Sequence, residues 1–97
     1  MSADDFRREI LERVHSGSSE FQEIRAGDIT DHFGGENANC CGAMRTLFRL
    51  GDQIIGLPKG RTPAPGGTFQ QQTSGQNHQG ANLVIRYRRS TDRANPA

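Results

Sequence analysis

The chain has 97 residues, enough for one small domain with a single modest core and no more. Only 32% of its residues are hydrophobic, Trp is absent and Gly occurs 12 times, so much of the chain is expected to be loop. No apolar run approaches the ~20 residues of a membrane span, and the acidic, amphipathic start MSADDFRREI is not expected to act as a signal peptide. Net charge is +1 but unevenly spread. Residues 1–50 carry six arginines against nine acids, −3, and residues 51–97 carry six bases against Asp52 and Asp92, +4. That asymmetry fits a chain with one face turned to phosphates. The two cysteines, Cys40 and Cys41, are neighbours. Adjacent cysteines make a poor disulfide pair, so a reduced, cytoplasmic protein is expected.

Residues 4–15, DDFRREILERVH, give the clearest helix. Phe6, Ile10, Leu11 and Val14 form an apolar stripe, and Arg7, Arg8, Glu9, Glu12 and Arg13 lie mostly outside it. Ser2 can cap its start, Asp4 and Asp5 suit the positive end of the helix dipole, and Gly17 ends it. Residues 20–25, EFQEIR, are read as a short extended segment without clean alternation. Ala26-Gly27 breaks the pattern, and Asp28 or Thr30 lies near the next helix start.

The stretch Arg25–Leu50 is the organising one. A short second helix carries Ile29 and Phe33 on one side, and Gly34-Gly35 supplies a left-handed turn. A third helix, capped by Asn37, runs to about Leu50, where Gly51 stops it. Cys40, Cys41, Met44, Leu47 and Phe48 recur at three- and four-residue spacing and so face the core. The opposite side carries Asn39, Gly42, Thr46 and Arg49, with Arg45 on its flank. Asn, Thr and Arg reach base edges and phosphates well, and a glycine among them admits a close backbone approach.

A short strand with Ile54, Ile55 and Leu57 follows. The last strand, ANLVIRYRR, alternates, with Leu83, Ile85 and Tyr87 on one face and Val84, Arg86 and Arg88 on the other. Between them, residues 58–80 are rich in Gly, Pro, Gln and Thr, hold no acid and carry Lys59, Arg61 and His78. Their composition predicts a mobile, extended wing, pinned at Phe69, its one large apolar residue. Residues 90–97, STDRANPA, read as a disordered tail.

Catalytic chemistry is not apparent. There is no Cys-x-x-Cys or His-x-x-x-His spacing for a metal, and the inward cysteines predict inert core thiols. The acids of residues 20–36 lack the carboxylate–Lys grouping of a metal-assisted nuclease. PKG after Leu57 is a turn, since no GK[ST] follows. No metal, cofactor or enzymatic activity is expected.

The order helix, extended segment, helix, helix, strand, wing, strand resembles winged helix-turn-helix DNA-binding domains over about residues 4–88. The string GDI…GG…CCGAMR…GDQI…PKG…LVIRYR is also similar to small uncharacterised prokaryotic domains. The winged-helix resemblance implies that the third helix enters the major groove while the wing touches the backbone or minor groove. Carried onto this chain, it makes Asn39, Gly42, Arg45, Thr46 and Arg49 the base-facing residues, and Lys59, Arg61, Arg86, Arg88 and Arg89 the phosphate contacts. The second helix departs from the pattern, because Asp28, Asp31 and Glu36 lie where phosphates would approach.

The expectation is therefore an α+β winged helix-turn-helix over residues 1–89, three helices followed by a two-stranded hairpin with a long wing. Its partner is expected to be double-stranded DNA, for regulation of transcription or target recognition. The alternative is a protein–protein adaptor or subunit on the same fold. A continuous basic face joining Arg45 and Arg49 to the wing favours DNA; pairing of those arginines with Glu36 or Asp52 favours the adaptor.

Overall fold

A computed structural model describes residues 1–93. Its elements are α1 (Ala3–Ser16), β1 (Phe21–Arg25), α2 (Ala26–Phe33), α3 (Asn37–Leu47), β2 (Gln53–Gly56), α4 (Phe69–Thr73) and β3 (Val84–Arg88), with a 3-10 turn at Pro58–Gly60. The class is α+β, as expected. The order differs from three helices followed by a two-stranded hairpin: a strand separates the first two helices, and α4 interrupts the connection between the last two strands. The sheet is three-stranded and antiparallel in the order β1-β3-β2.

The stripe on α1 buries Phe6, Ile10 and Val14, and Ser2 closes a capping box with Asp5 at the helix start. These side chains meet Cys40, Cys41, Ala43, Met44 and Leu47 of α3 in one core, joined by Ile24, Ile29, Ile54, Leu57, Leu83, Ile85 and Tyr87. Alternation along β3 falls as read, with Ile85 and Tyr87 buried and Arg88 exposed. Gly34 and Gly35 both take positive φ between α2 and α3. At Gly35 a Cβ would also lie 2.8 Å from the Phe6 ring, so the turn needs glycine for space as well as for conformation.

Several boundaries move. α2 starts at Ala26, directly off β1, and its N-cap Arg25 makes no side-chain cap hydrogen bond. The first amides of α2 donate instead to carbonyls of the chain entering β3: Ala26 N–H to Leu83 at 3.0 Å and Gly27 N–H to Ala81 at 2.9 Å. Asn37 does not cap α3; it is the first helical residue, and its Oδ1 accepts from the Thr30 hydroxyl at 2.8 Å. α3 ends at Leu47 rather than Leu50.

The connection 58–80 is more structured than its composition suggests. Thr68 and Gln71 form a capping box that starts α4. Gln72 of α4 is buried and acts as a substitute strand at the free edge of β2. Its side-chain oxygen accepts from Ile54 N–H at 2.6 Å, and its amide nitrogen donates to the carbonyls of Asp52 and Gly66. Sealing an edge in this way satisfies backbone groups that would otherwise template pairing with another chain.

Arg93, within the stretch read as a tail, is fully buried; residues 94–97 lie outside the described residues. Its guanidinium pairs with Asp52, donates to the carbonyls of Leu47 (2.8 Å) and Arg88 (2.7 Å), and lies over the Tyr87 ring. Asp52 also accepts from the backbone N–H of Arg49 and of Arg88, each at 2.8 Å. One carboxylate thereby ties together the end of α3, the entry to β2, the end of β3 and the chain beyond it. Tyr87 completes the knot by donating its hydroxyl to Met44 carbonyl at 2.8 Å; burial, with the Asp52 charge nearby, holds its pKa well above the usual phenol value.

Candidate nucleic-acid interface

The outer side of α3 presents Asn39, Arg45 and Thr46 to solvent, with Gly42 half-buried between them. Gly42 is mid-helix, and among the described residues nothing beyond the helix's own backbone lies within 4 Å of where its Cβ would project. A helical glycine costs about 1 kcal/mol relative to alanine, and no packing against this position requires it. The Thr46 hydroxyl donates to Gly42 carbonyl at 2.9 Å, the back-bond to the preceding turn common for a helical threonine.

Arg45 is the residue that joins this face to the connection 58–80. Its guanidinium carbon is 5.4 Å from the centroid of the Phe69 ring on α4. Phe69 in turn stands edge-on to Phe48, just past α3, and to His78, with centroids 5.4 and 5.0 Å apart. Two positions further on, Gly80 is tied to the side chain of Cys41 in α3: its N–H donates to Sγ at 3.4 Å and its carbonyl accepts from the thiol at 3.3 Å. Pro58 packs on Gly80, close enough that a Cβ there would meet it at 2.9 Å. Arg61 donates to the carbonyls of Pro58 and Asn77. Lys59 is exposed at the tip of the Pro58–Gly60 turn with φ 62°, a left-handed conformation uncommon for a side chain of this size. The turn bearing Lys59 and Arg61 is therefore packed on residues 77–80, which are packed on α3.

Arg49 departs from its expected place on the helix face. It lies beyond the end of α3, and its guanidinium folds back onto the carbonyls of Thr46 (2.7 Å) and Phe48 (2.9 Å). A cation at that end complements the helix dipole.

Arg86, Arg88 and Arg89 are not brought to this surface. Arg86 and Arg88 alternate with the buried Ile85 and Tyr87, so they lie on the sheet face turned away from the helices. Arg86 covers the Phe21 ring at 4.1 Å, Arg88 pairs with Glu20 at 3.1 Å, and Arg89 N–H donates to Glu20 carbonyl. Among the described residues, Arg45, Arg49, Lys59, Arg61, Arg86 and Arg89 have no carboxylate within ion-pair distance. On α2, Asp28 is paired with Arg25 and Asp31 is exposed, as is Glu36 at the N-cap of α3.

Nucleophilic chemistry finds no support in the cysteines. Both are buried; burial, reinforced by neighbouring Cys41, pushes the Cys40 thiol up to about 12, and burial raises Cys41 as well. Among the described residues no group of His, Cys, Asp and Glu could hold a metal, and no helix is long and apolar enough to cross a membrane. Sequence reasoning missed His78 as a packing partner and the Asp52–Arg93 knot. The Thr68-x-x-Gln71 capping signature was the one local signal for α4. Set against known proteins, the chain matches no family model, no curated protein and no solved structure.

Proposed function

We propose that the chain is a cytoplasmic winged-helix protein that binds double-stranded DNA, without catalysis of its own, for regulation or target recognition. In this reading α2 and α3 are the helix-turn-helix, the connection between β2 and β3 is the wing, and α3 enters the major groove. The observation that carries it is Arg45, exposed on α3, with no carboxylate partner among the described residues and set against the connection 58–80 through Phe69. Lys59 and Arg61 extend the same surface from the packed turn at Pro58–Gly60. The open space over Gly42 supports close approach of a partner to the α3 backbone. Base contacts then fall to Asn39, Arg45 and Thr46, and phosphate contacts to Lys59 and Arg61. Arg49 joins them from the end of the helix.

The adaptor reading draws on the other side of the molecule. There Phe21 and Ile55, 36% and 40% exposed, accompany Arg86 and the Arg88–Glu20 pair.

Variants separate the two surfaces. Arg45→Ala is expected to cost ~1–3 kcal/mol of binding to a preferred duplex, and Arg49→Ala, which removes a guanidinium folded onto the helix end, less than that. Lys59→Ala should weaken all sequences alike and lower the salt slope by about one unit. Arg86→Ala should leave DNA affinity unchanged. Equal affinity for wild type and the Arg45, Arg49 and Lys59 variants would refute this placement of the site.

A further inference from the structure

A surface arginine on a helix samples many rotamers, and immobilising it on a base edge costs side-chain entropy. Arg45 is restrained before any partner arrives. Its guanidinium lies over Phe69, and Phe69 is wedged edge-on between Phe48 and His78. Among the described residues the buried Nε2 of His78 has no hydrogen-bond partner, and what its ring meets is the edge-on Phe69 ring. Gly80, two residues on, is hydrogen-bonded in both directions to Cys41, one helical turn before Arg45 on the same helix. The 69–80 segment therefore grips α3 at two levels, and the upper grip is the Arg45–Phe69–His78 stack. α4 exists to present that ring: its capping box and the buried Gln72 fix it to the sheet edge.

We propose that Phe69 and His78 are positioning residues for Arg45, so that base reading by α3 depends on α4 of the wing. This rests on the DNA reading above. Phe69 and His78 touch no base; they act by holding a guanidinium in the orientation that a guanine edge requires. The wing then contributes to sequence preference as well as to phosphate affinity.

The test compares wild type, Arg45→Ala, Phe69→Leu, the double variant and Phe69→Trp, by fluorescence anisotropy on a selected duplex and on a random one. Proton NMR of each free protein reports the ring-current shift of the Arg45 side chain, which reads the stack without DNA. Phe69→Leu should abolish that shift, lose roughly five- to tenfold on the selected duplex and leave the random duplex nearly unchanged. The double variant should bind no more weakly than Arg45→Ala, and Phe69→Trp should restore selectivity. Losses that add in the double variant, or that fall equally on both duplexes, would overturn the positioning role while leaving DNA binding intact. Wild type that binds neither duplex would overturn the DNA reading and the inference with it.

Discussion

On the proposed DNA reading, Gly42→Ala places stability and binding in opposition. Gly42 is interior to the helix Asn37–Leu47, and its backbone is not in the left-handed region, so alanine fits without strain. Among the described residues, and apart from the adjacent helix backbone, no heavy atom lies within 4 Å of the new methyl, so it gains no packing partner. What remains is the backbone term, roughly 0.8–1.0 kcal/mol in favour of alanine. For a domain of this size that raises the melting temperature by about 4–8 °C. The same methyl occupies the space through which a partner would approach α3, so DNA affinity should fall at least about tenfold, the effect of ~1.4 kcal/mol. Thermal melting by circular dichroism and anisotropy on one duplex measure both quantities on the same preparation. A variant that is more stable and binds as well as wild type would remove Gly42 from the interface. A variant that is less stable would refute the steric reasoning itself.

Two further outcomes follow from the buried polar groups. Asp52→Ala leaves the Arg93 guanidinium buried without its anion and strips acceptors from Arg49 and Arg88 N–H; a loss of ~3–5 kcal/mol is expected in urea unfolding. A value within about 1 kcal/mol of wild type would refute the view that this pair ties the fold together, since removing one partner from a buried pair ordinarily costs several times that. His78 is held below the ordinary histidine value, first by burial and then by the Arg45 charge. Above about pH 6.5 both folded and unfolded states are neutral at this site, and stability does not depend on it. As pH falls below that value the unfolded chain takes up the proton first, so stability is lost until the lowered folded value is passed. The interval from pH 7 to 5 is where this effect is read, as the difference between wild type and a His78 variant. His78→Gln should shrink the slope in urea unfolding over that interval; an unchanged slope would refute the assignment.

What was legible in the sequence was what depends on near neighbours. The α1 stripe with its Ser2 cap, the inward Cys40 and Cys41, and the alternation of Ile85 and Tyr87 against Arg86 and Arg88 all repeat within a turn or a strand. The errors share a different cause. α2 begins early because Ala26 and Gly27 find acceptors at Leu83 and Ala81, more than fifty residues away. Arg93 reads as a frayed charge until Asp52, 41 positions earlier, turns inward to meet it. A polar segment such as 58–80 lacks the apolar residues that announce a core, yet Gln72 orders it through three hydrogen bonds to backbone groups. For the candidate site, helical spacing found the face of Asn39, Gly42, Arg45 and Thr46. It misplaced Arg49 because α3 closes a turn early, with that guanidinium folded over its end. The winged-helix resemblance grouped Arg86 and Arg88 with Lys59 and Arg61, whereas they lie on the outer face of the sheet, over Phe21 and beside Glu20.

The central claim, contact with duplex DNA through α3 and the wing, is tested most directly by anisotropy of a labelled random duplex titrated with protein at several salt concentrations. Micromolar binding that weakens log-linearly with salt is the predicted result, since cations at Lys59 and Arg61 would displace counterions from phosphates. Absence of binding even at low salt would contradict the account and direct attention to a protein partner on the Phe21–Arg86 face.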